Sequence, residues 1–277
     1  MSPRAILKKC AERAARVGVL RRALIRLHLW RRRLREGAHP FDRANGVTTA
    51  GILPAFLLRS GSAADGEITA YVGVAASVLR TALAAIPDIE TFSFVDLGAG
   101  MGRALVVASE FPFRAVVGIE ICPELCAIAA RNAETIRRKH PERARIEVRE
   151  GDASRPALPD GPLVLMLYFA FGPDATRQLI ELTGAAANSR EIYLLCVNPV
   201  LGALIDEHAS FERWYAEPIP VSAEEAAHAP YAPGDSEAVV IWRAAPQGLP
   251  ATPPLGAPSD ASRRIVVKEG GWAAELA

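Results

Sequence analysis

The sequence predicts an α/β fold of three layers, in which a mostly parallel sheet of seven strands lies between helices and follows an N-terminal helical extension. Between residues 90 and 200, short β-rich apolar runs alternate with segments of helical periodicity, as in βαβ units. The run Leu163–Phe169 is apolar throughout, which is typical of a central parallel strand buried on both faces. The length of 277 residues accommodates one large domain with additions.

The first element is an amphipathic helix, predicted over residues 5–35. An apolar stripe of Val17, Leu20, Leu24 and Leu27 recurs at helical spacing, and arginines fill much of the remaining surface. This pattern predicts a surface helix with one apolar and one strongly basic side.

The next segment is predicted to begin where Pro40 ends this helix, because the residue before a proline disfavours the helical conformation. Residues 41–51 are predicted to form a loop. A second helix is predicted over residues 67–86, and Pro87 ends it.

The elements of the core then follow in order. Strands are predicted over Thr91–Leu97, Ala115–Ile119, Arg145–Val148, Leu163–Phe169, Glu191–Val197, Phe211–Ile219 and Glu237–Arg243. Helices are predicted over Arg103–Glu110, Pro123–Lys139 and Ala175–Ala187. Residues 244–260 contain five Pro and two Gly, which predicts a linker or loose tail.

Charge is distributed unevenly along a chain whose net charge is only +1. Residues 1–40 hold twelve Arg and Lys against two acids, a local net charge of +10 that leaves −9 for the rest. A basic arm on an acidic body favours a polyanionic partner, either RNA or an anionic membrane surface. Solvated arginines on an ordinary surface helix are the alternative interpretation.

Composition excludes several classes of protein. Half of the residues are hydrophobic, which rules out global disorder. No apolar run reaches the ~18 residues of a membrane span, and arginines interrupt the apolar stretch that a secretory signal would need. The four cysteines are too few and scattered for a disulfide framework. We therefore expect a cytoplasmic protein, with membrane-surface association through the arm as an alternative.

The strongest motif is Phe94–Arg103, with the sequence FVDLGAGMGR, at a predicted strand-to-helix turn. Its three glycines alternate, so the backbone can pass close to a ligand in conformations closed to other residues. The dinucleotide fingerprint requires a third glycine at the position of Arg103. Asp96, two residues before the first glycine, would repel a pyrophosphate but can accept a hydrogen bond from an ammonium group. The motif therefore favours S-adenosylmethionine over a nicotinamide dinucleotide.

Two more acids follow the next two strands. Glu120 lies 24 residues after Asp96, where a carboxylate can accept hydrogen bonds from both hydroxyls of a ribose. Asp152 follows the third strand, in a position that suits the amino group of an adenine. Because the strands are parallel, all three acids are expected at one edge of the sheet.

These residues resemble the class I S-adenosylmethionine-dependent methyltransferases over residues 90–200. The resemblance implies a Rossmann-like fold, no metal, and S-adenosylmethionine as cofactor. It implies that Asp96 and the glycines hold the methionine moiety, Glu120 the ribose, Ile121 one adenine face and Asp152 the adenine edge. The predicted cofactor-binding residues are Asp96, Gly98, Ala99, Gly100, Gly102, Glu120, Ile121, Asp152 and Ala153.

A narrower resemblance includes the segment before the core. Phe41-Asp42-Arg43, Gly46-Val47, Thr49-x-Gly51 and Tyr71, together with the glycine motif and Arg103, look like a group of poorly characterised bacterial class I methyltransferases. That group often carries a Tyr-x-Pro element where this chain has Tyr71-Val72-Gly73. The set is also distantly similar to protein-lysine methyltransferases.

The end of the fourth strand is the predicted acceptor side. Relatives that methylate amines often carry Asn-Pro-Pro-Tyr or Asn-Pro-Phe here, whereas this chain has Phe169 and Ala170 before Phe171. Phe169 and Phe171 are predicted to line an apolar pocket around the methyl group, with Tyr168 or Tyr71 as the nearest polar side chain. Asn198, before a proline after the fifth strand, is either a second candidate edge or a turn.

The predicted function is transfer of a methyl group from S-adenosylmethionine to an unidentified acceptor, a protein amine or a small molecule. The alternatives are a non-catalytic module that binds RNA or membrane through its arm, and a nicotinamide-dependent oxidoreductase. The predicted segments are a basic helical arm (1–40), a helical cap on the substrate side (41–88), the cofactor-binding domain (89–243) and a Pro-rich tail (244–277).

Overall fold

The computed structural model describes residues 18–36, 38–58, 69–168, 170–228, 236–256, 263–268 and 271–276. Its N-terminal part consists of three helices and two short strands. They are α1 (Gly18–Glu36), α2 (Pro40–Asn45), β1 (Ile52–Leu53), β2 (Tyr71–Val72) and α3 (Ala76–Ala84). β1 and β2 pair antiparallel, away from the central sheet.

The core alternates strands and helices in the predicted order. Its elements are β3 (Ser93–Leu97), α4 (Arg103–Ala108), β4 (Ala115–Glu120), α5 (Pro123–Lys139), β5 (Ile146–Glu150), β6 (Leu163–Leu167), α6 (Pro173–Ala186), β7 (Ile192–Val197), α7 (Gly202–Asp206), β8 (Glu212–Pro220), α8 (Ala223–Ala226) and β9 (Ser236–Ala244). Two further strands, β10 (Arg263–Lys268) and β11 (Gly271–Leu276), form a separate antiparallel hairpin.

The central sheet has the strand order β5-β4-β3-β6-β7-β9-β8. All its pairings are parallel except those of β9, which runs antiparallel to β7 and to β8. The sheet is seven-stranded and mostly parallel, and helices cover both of its faces. The predicted fold class, a three-layer Rossmann-like α/β fold, is confirmed. β3 and β6 are neighbours although β4 and β5 intervene in the chain, so the strand order reverses beside β3.

Alternation along each strand divides the core between the two faces of the sheet. Phe94 and Val164 pack in one cluster with residues of α3 and α4. Val95 and Leu165 pack in the other, with residues of α6 and α7. β6 has its first four residues buried, as its apolar sequence predicted for a strand covered on both faces. It ends at Leu167, two residues before the predicted end.

Helix α1 packs on the body along a face centred on Ile25. Ile25 is fully buried, Leu24 and Leu29 are partly buried against the same cluster, and Arg21 forms an ion pair with Glu124 on α5 at 2.9 Å. Among the described members of the predicted stripe, Leu24 makes this contact. Leu20 and Leu27 are instead exposed, and Val17 lies outside the described residues.

The segment before the core differs from the prediction in two places, and the first is that residues 41–45 of the predicted loop belong to the helix α2. The helix expected over residues 67–86 is limited to α3, and the chain before it is extended as β2. The N-terminus of α3 is fixed from a distance by Glu225, whose carboxylate accepts hydrogen bonds from the backbone N–H groups of Ala76 and Ser77 at 2.7 and 2.8 Å. A tertiary contact of this kind has no local sequence signal.

The Pro-rich segment after β9 is held on the body up to residue 256, in contrast to the loose tail expected. The Arg243 side chain donates hydrogen bonds to the carbonyl groups of Leu249 and Pro250, and the Trp214 indole donates to the carbonyl of Thr252. The backbone N–H of Leu255 donates to the Ala85 carbonyl. The prolines of this segment are therefore compatible with packing against the body.

Candidate functional site

The glycine turn after β3 adopts a backbone that only glycine takes without strain. Gly98, Gly100 and Gly102 have φ values of +90°, +54° and +83°. A Cβ atom on Gly98 would lie 2.8 Å from Cβ of Ala170, and one on Gly100 would overlap the Tyr71 ring. The turn therefore forms a glycine cradle, against which Ala170 and Tyr71 pack closely because no side chain stands in the way.

A cavity of about 370 Å³ opens beside this turn, at the carboxyl ends of the parallel strands. Most of the predicted site residues line it: Tyr71, Gly98, Gly100, Glu120, Ile121, Asp152, Ala153, Tyr168 and Phe171. The structure thus brings together residues from five separate segments of the chain. The place agrees with the general location of ligand sites in open α/β sheets, where the strand order reverses.

Glu120 ends β4 and is held by the backbone around it. Its Oε2 accepts a hydrogen bond from the Gly100 N–H at 2.8 Å, and its Oε1 accepts one from the Cys122 N–H at 2.8 Å. Burial raises the pKa of this carboxyl above its usual range, while these backbone donors act in the opposite sense. The two hydrogen bonds fix the carboxylate in the wall of the cavity, where each oxygen can accept a further bond.

Three predicted cofactor residues lie behind the surface of the cavity rather than in its lining. Asp96, Ala99 and Gly102 are buried under or within the glycine turn. Burial and then the charge of Glu120 raise the pKa of Asp96 to about 7. Both effects act in the same direction, because burial and a neighbouring negative charge each disfavour the ionised form of a carboxyl group.

Asp152 lies on the opposite wall and is exposed. One of its oxygens, Oδ1, accepts hydrogen bonds from the backbone N–H and the hydroxyl of Ser154, at 2.9 and 2.7 Å. These bonds orient the carboxylate and keep it on the rim next to Ala153. The side chain of Asp152 can accept a hydrogen bond from a ligand that fills the cavity.

Tyr71 covers the glycine turn from the N-terminal side. Its hydroxyl donates a hydrogen bond to the Thr49 carbonyl at 2.6 Å, and burial raises its pKa above the usual range. The Tyr71 hydroxyl is therefore already hydrogen-bonded within the cap, and it is the ring that lies next to Gly100. This favours a shaping role for Tyr71 over a role in proton transfer.

A buried polar network fastens the cap to the start of α4. Asp42 accepts hydrogen bonds from the N–H and hydroxyl of Thr49 and from the Ala50 N–H, at 2.9, 2.5 and 2.9 Å. Arg103 Nε donates to the Thr49 hydroxyl at 2.8 Å, and its guanidinium lies over the Phe41 ring at 5.5 Å. The residues of the narrower sequence pattern therefore meet in space, where they hold Tyr71 over the turn.

The predicted acceptor-side residues follow β6. Phe171 lines the cavity and is partly buried, whereas Phe169 lies outside the described residues. Tyr168 also lines the cavity, and its hydroxyl is hydrogen-bonded to the Glu237 carboxylate. Asn198 is structural, because its side-chain oxygen accepts a hydrogen bond from the Ala238 N–H at 3.1 Å.

Several residues of the cavity were not identified from the sequence. They are Leu58, Thr69, Ala70, Val72, Leu125, Ser154, Arg155, Ala170, Asp174, Ala175 and Gln178. Most lie on the cap or on α6, and their positions follow from packing of those elements rather than from any motif. Asp174 and Gln178 are four residues apart on one face of α6, a spacing that becomes informative only once the helix is placed.

No protein-family model matches the sequence, and no curated protein matches it. Among solved structures, the chain is similar to an arsenic(III) S-adenosylmethionine methyltransferase from Chlamydomonas reinhardtii, with 18% identity and a TM-score of 0.40 over 62% of this chain and 74% of that one. An RNA methyltransferase from Salinibacter ruber in complex with S-adenosyl-L-homocysteine gives 19% identity and a TM-score of 0.38, over 63% and 94%. A ribosomal protein L11 methylase from Lactobacillus delbrueckii subsp. bulgaricus gives 16% and 0.39, over 59% and 75%. At these TM-scores the similarities carry no argument about this chain, so its function has to be argued from the site.

Proposed function

We propose that the protein is a methyltransferase that uses S-adenosylmethionine. The observation that carries this proposal is the placement of Glu120 and Asp152 on the walls of one cavity whose floor is the glycine cradle, with Asp96 buried beneath. A non-catalytic scaffold has no need of this arrangement, which argues against the alternative of a pure interaction module. The buried acid beside the cradle also argues against a pyrophosphate and hence against a nicotinamide dinucleotide.

The residues present fit this cofactor. Gly98 and Gly100 line the cavity without side chains, which would let the methionine end approach the backbone, and Asp96 buried beneath them could accept a hydrogen bond from its ammonium group. Glu120 would accept hydrogen bonds from the ribose hydroxyls. Ile121 would pack on an adenine face, and Asp152 would accept a hydrogen bond from the adenine edge.

S-adenosylmethionine supplies a methyl group that its sulfonium already activates. The chain's own contribution is therefore to position the reactants and to exclude water. Tyr71 and Val72 cover the cavity from the cap, and Tyr168, Ala170 and Phe171 close the acceptor side. The acceptor is proposed to be a protein amine or a small molecule.

The proposal is tested by calorimetric titration of the full chain with S-adenosylhomocysteine and, separately, with NAD. We expect micromolar affinity for S-adenosylhomocysteine, about −8 kcal/mol, and at least a hundredfold weaker binding of NAD. Equal affinities, or NAD binding alone, would overturn the assignment.

Cofactor binding is expected to depend on pH through Asp96. Only the ionised carboxylate attracts an ammonium group, and the pKa of Asp96 is raised to about 7. Below pH 7 the affinity for S-adenosylhomocysteine should therefore fall by roughly tenfold per pH unit, and above pH 7 this effect should level off. Titrations between pH 5.5 and 8 measure it, and Asp96→Asn should flatten the profile. A profile with the same slope in the variant would show that another group is responsible.

The basic arm is the second feature that bears on function, and we propose that α1 docks on an anionic membrane surface. An exposed apolar stripe, the α1 stripe, runs along the helix away from the body. Its members are Leu20, Ala23, Leu27, Trp30 and Leu34. They recur at alternating spacings of three and four residues, so they lie in one row.

Arginines flank the α1 stripe, as lipid headgroups require. At 100° per residue, Arg22, Arg26 and Arg33 lie along one side of the row and Arg31 along the other, and all four are exposed. Trp30 is 58% exposed and Leu34 is 66% exposed. Apolar insertion together with about 1 kcal/mol per basic residue favours a lipid surface over RNA, which would use the cations alone. Within the described part of the chain, no helix is long and apolar enough to cross a membrane.

Vesicle sedimentation of the full chain tests this docking. With phosphatidylserine-containing vesicles we expect the double variant Trp30→Ser/Leu34→Ser to bind at least tenfold more weakly than the unaltered protein. Leu249→Ser/Leu255→Ser, which removes two exposed leucines elsewhere, should leave binding unchanged. Loss of RNA binding in an Arg22→Gln/Arg26→Gln variant, with no vesicle binding by any protein, would show that the polyanion is a nucleic acid.

A further inference from the structure

A second, smaller cavity lies directly behind the acceptor side of the first. Its volume is about 60 Å³, and Val72 and Tyr168 line both cavities, so the two cavities adjoin at these residues. This volume admits a small head group rather than an aromatic ring. Besides Tyr168, six charged or titratable side chains line the cavity: Arg32, His39, Arg103, Glu225, His228 and Glu237.

Glu237, at the start of β9, is the exceptional member of this set. It is 92% buried, since only 8% of its surface is exposed, and its Oε2 has no hydrogen-bond partner among the described residues. Its carboxylate is hydrogen-bonded to the Tyr168 hydroxyl. Burial, and then the charge of Glu225, raise the pKa of Glu237 to about 7. A buried carboxylate oxygen without a donor is costly, and a donor supplied by a ligand would remove that cost.

Two other charged groups of the cavity are already engaged. Glu225 accepts hydrogen bonds from the N-terminus of α3, and Arg103 donates to Thr49 and to the Val74 carbonyl. The Nη2 atom of Arg103 lies 3.9 Å from Oδ1 of Asp42.

The histidines and Arg32 complete the surroundings of Glu237. Burial and the charge of Arg103 lower the pKa of His39 to about 4, so His39 is neutral at pH 7, and its Nδ1 accepts a hydrogen bond from the Phe41 N–H. Arg32 and His228 also line the neighbouring surface groove, which places them on the outer side of the cavity. Oε2 of Glu237 accepts no hydrogen bond from the described cations of the cavity.

We propose that this second cavity binds the primary amine of the methyl acceptor, with Glu237 accepting its N–H and Tyr168 orienting the carboxylate. This inference rests on the proposed methyltransferase function. The location fits, because Val72 and Tyr168 line both cavities, so an amine at Glu237 would lie next to the acceptor side of the cofactor cavity.

The proton balance of this arrangement is simple. An ammonium group enters, one N–H bond breaks, and the proton forms an O–H bond with the Glu237 carboxylate. The electron pair of the broken bond stays on nitrogen, which becomes a neutral amine able to attack a methyl group. The nearby Arg103 and the low polarity of a buried site both lower the pKa of the amine, which favours this transfer.

The probe for this site is n-butylamine, and its binding is measured by ligand-observed NMR on the full chain saturated with S-adenosylhomocysteine. We expect saturable binding in the millimolar range and at least tenfold weaker binding in Glu237→Gln. Glu207→Gln, at an exposed glutamate outside both cavities, should bind n-butylamine as the unaltered protein does. Sodium butyrate and n-butanol should bind at least tenfold more weakly than n-butylamine.

The pH dependence provides a second readout that a purely structural role of Glu237 would not change. Binding of n-butylamine should rise with pH through about 7, because the carboxylate must be ionised. Tyr168→Phe should move that midpoint upward, since the Tyr168 hydrogen bond lowers the pKa of Glu237. An unchanged midpoint, or equal binding of butanol and butylamine, would overturn the proposal.

Calorimetry with S-adenosylhomocysteine distinguishes failure of the proposed amine site from failure of the proposed methyltransferase function. Glu237→Gln should retain the affinity of the unaltered protein for S-adenosylhomocysteine, which also shows that the variant is folded. Cofactor binding without n-butylamine binding refutes the amine site alone. Binding of n-butylamine to a chain that does not bind S-adenosylhomocysteine refutes the proposed function and leaves the amine site standing.

Discussion

Replacing Glu120 by alanine is expected to weaken S-adenosylhomocysteine binding more than a hundredfold. The structure fixes the Glu120 carboxylate in the cavity wall through the N–H groups of Gly100 and Cys122. A ribose would donate two hydrogen bonds to this charged group, each worth at least about 1.5 kcal/mol, so their joint loss is about 3 kcal/mol. Calorimetric titration at pH 7.5 measures the change.

The matched control is Glu150→Ala. Glu150 pairs in register with Glu120 on the neighbouring strand β5, is exposed and lies outside the lining of the cavity. We expect its affinity for S-adenosylhomocysteine to stay within twofold of that of the unaltered protein. Equal losses in both variants would indicate a general charge effect. Full affinity in Glu120→Ala would exclude Glu120 from the cofactor site.

Replacing Asp42 by alanine is expected to lower the free energy of unfolding by about 3–5 kcal/mol, because a buried charged group would lose its partner. Asp42 is 8% exposed and accepts three hydrogen bonds, and Arg103 depends on the same network for its buried position. Urea denaturation followed by circular dichroism measures the effect. S-adenosylhomocysteine binding should also weaken, because the network holds the Tyr71 ring over Gly100.

Asp160→Ala is the control for this change, since Asp160 is exposed and lies on a loop before β6. Its effect on the free energy of unfolding should stay within about 0.5 kcal/mol. A loss below 1 kcal/mol in Asp42→Ala would mean that the cap does not depend on this network. A stable variant with weakened cofactor binding would assign the network to the site rather than to the fold.

Local patterns in the sequence were sufficient for the central sheet. An apolar run such as that of β6 specifies a strand buried on both faces, and three alternating glycines specify a turn that other residues cannot form. The three acids at successive strand ends were likewise predictable as neighbours, because parallel strands bring their carboxyl ends to one edge. These inferences need no knowledge of distant contacts.

The cap and the exposed face of α1 were decided by the tertiary structure. β2 is extended because it pairs with β1, and α3 begins where the distant Glu225 caps it. The face of α1 that packs on the body includes Arg21, which forms an ion pair with Glu124. Hydrophobic periodicity does not predict a contact made by a charged residue.

The second cavity had no sequence signal for the same reason. In the sequence Glu237 is an ordinary residue near the start of a strand, and only folding places it beside Tyr168 and Glu225. The lack of a hydrogen-bond donor for Glu237 Oε2 results from how the surrounding residues pack. It is costly because the atom is buried. The sequence by itself determined the sheet and the glycine turn, through residues close along the chain. Only the tertiary structure decided what lies against them, because those contacts join segments that are up to 150 residues apart.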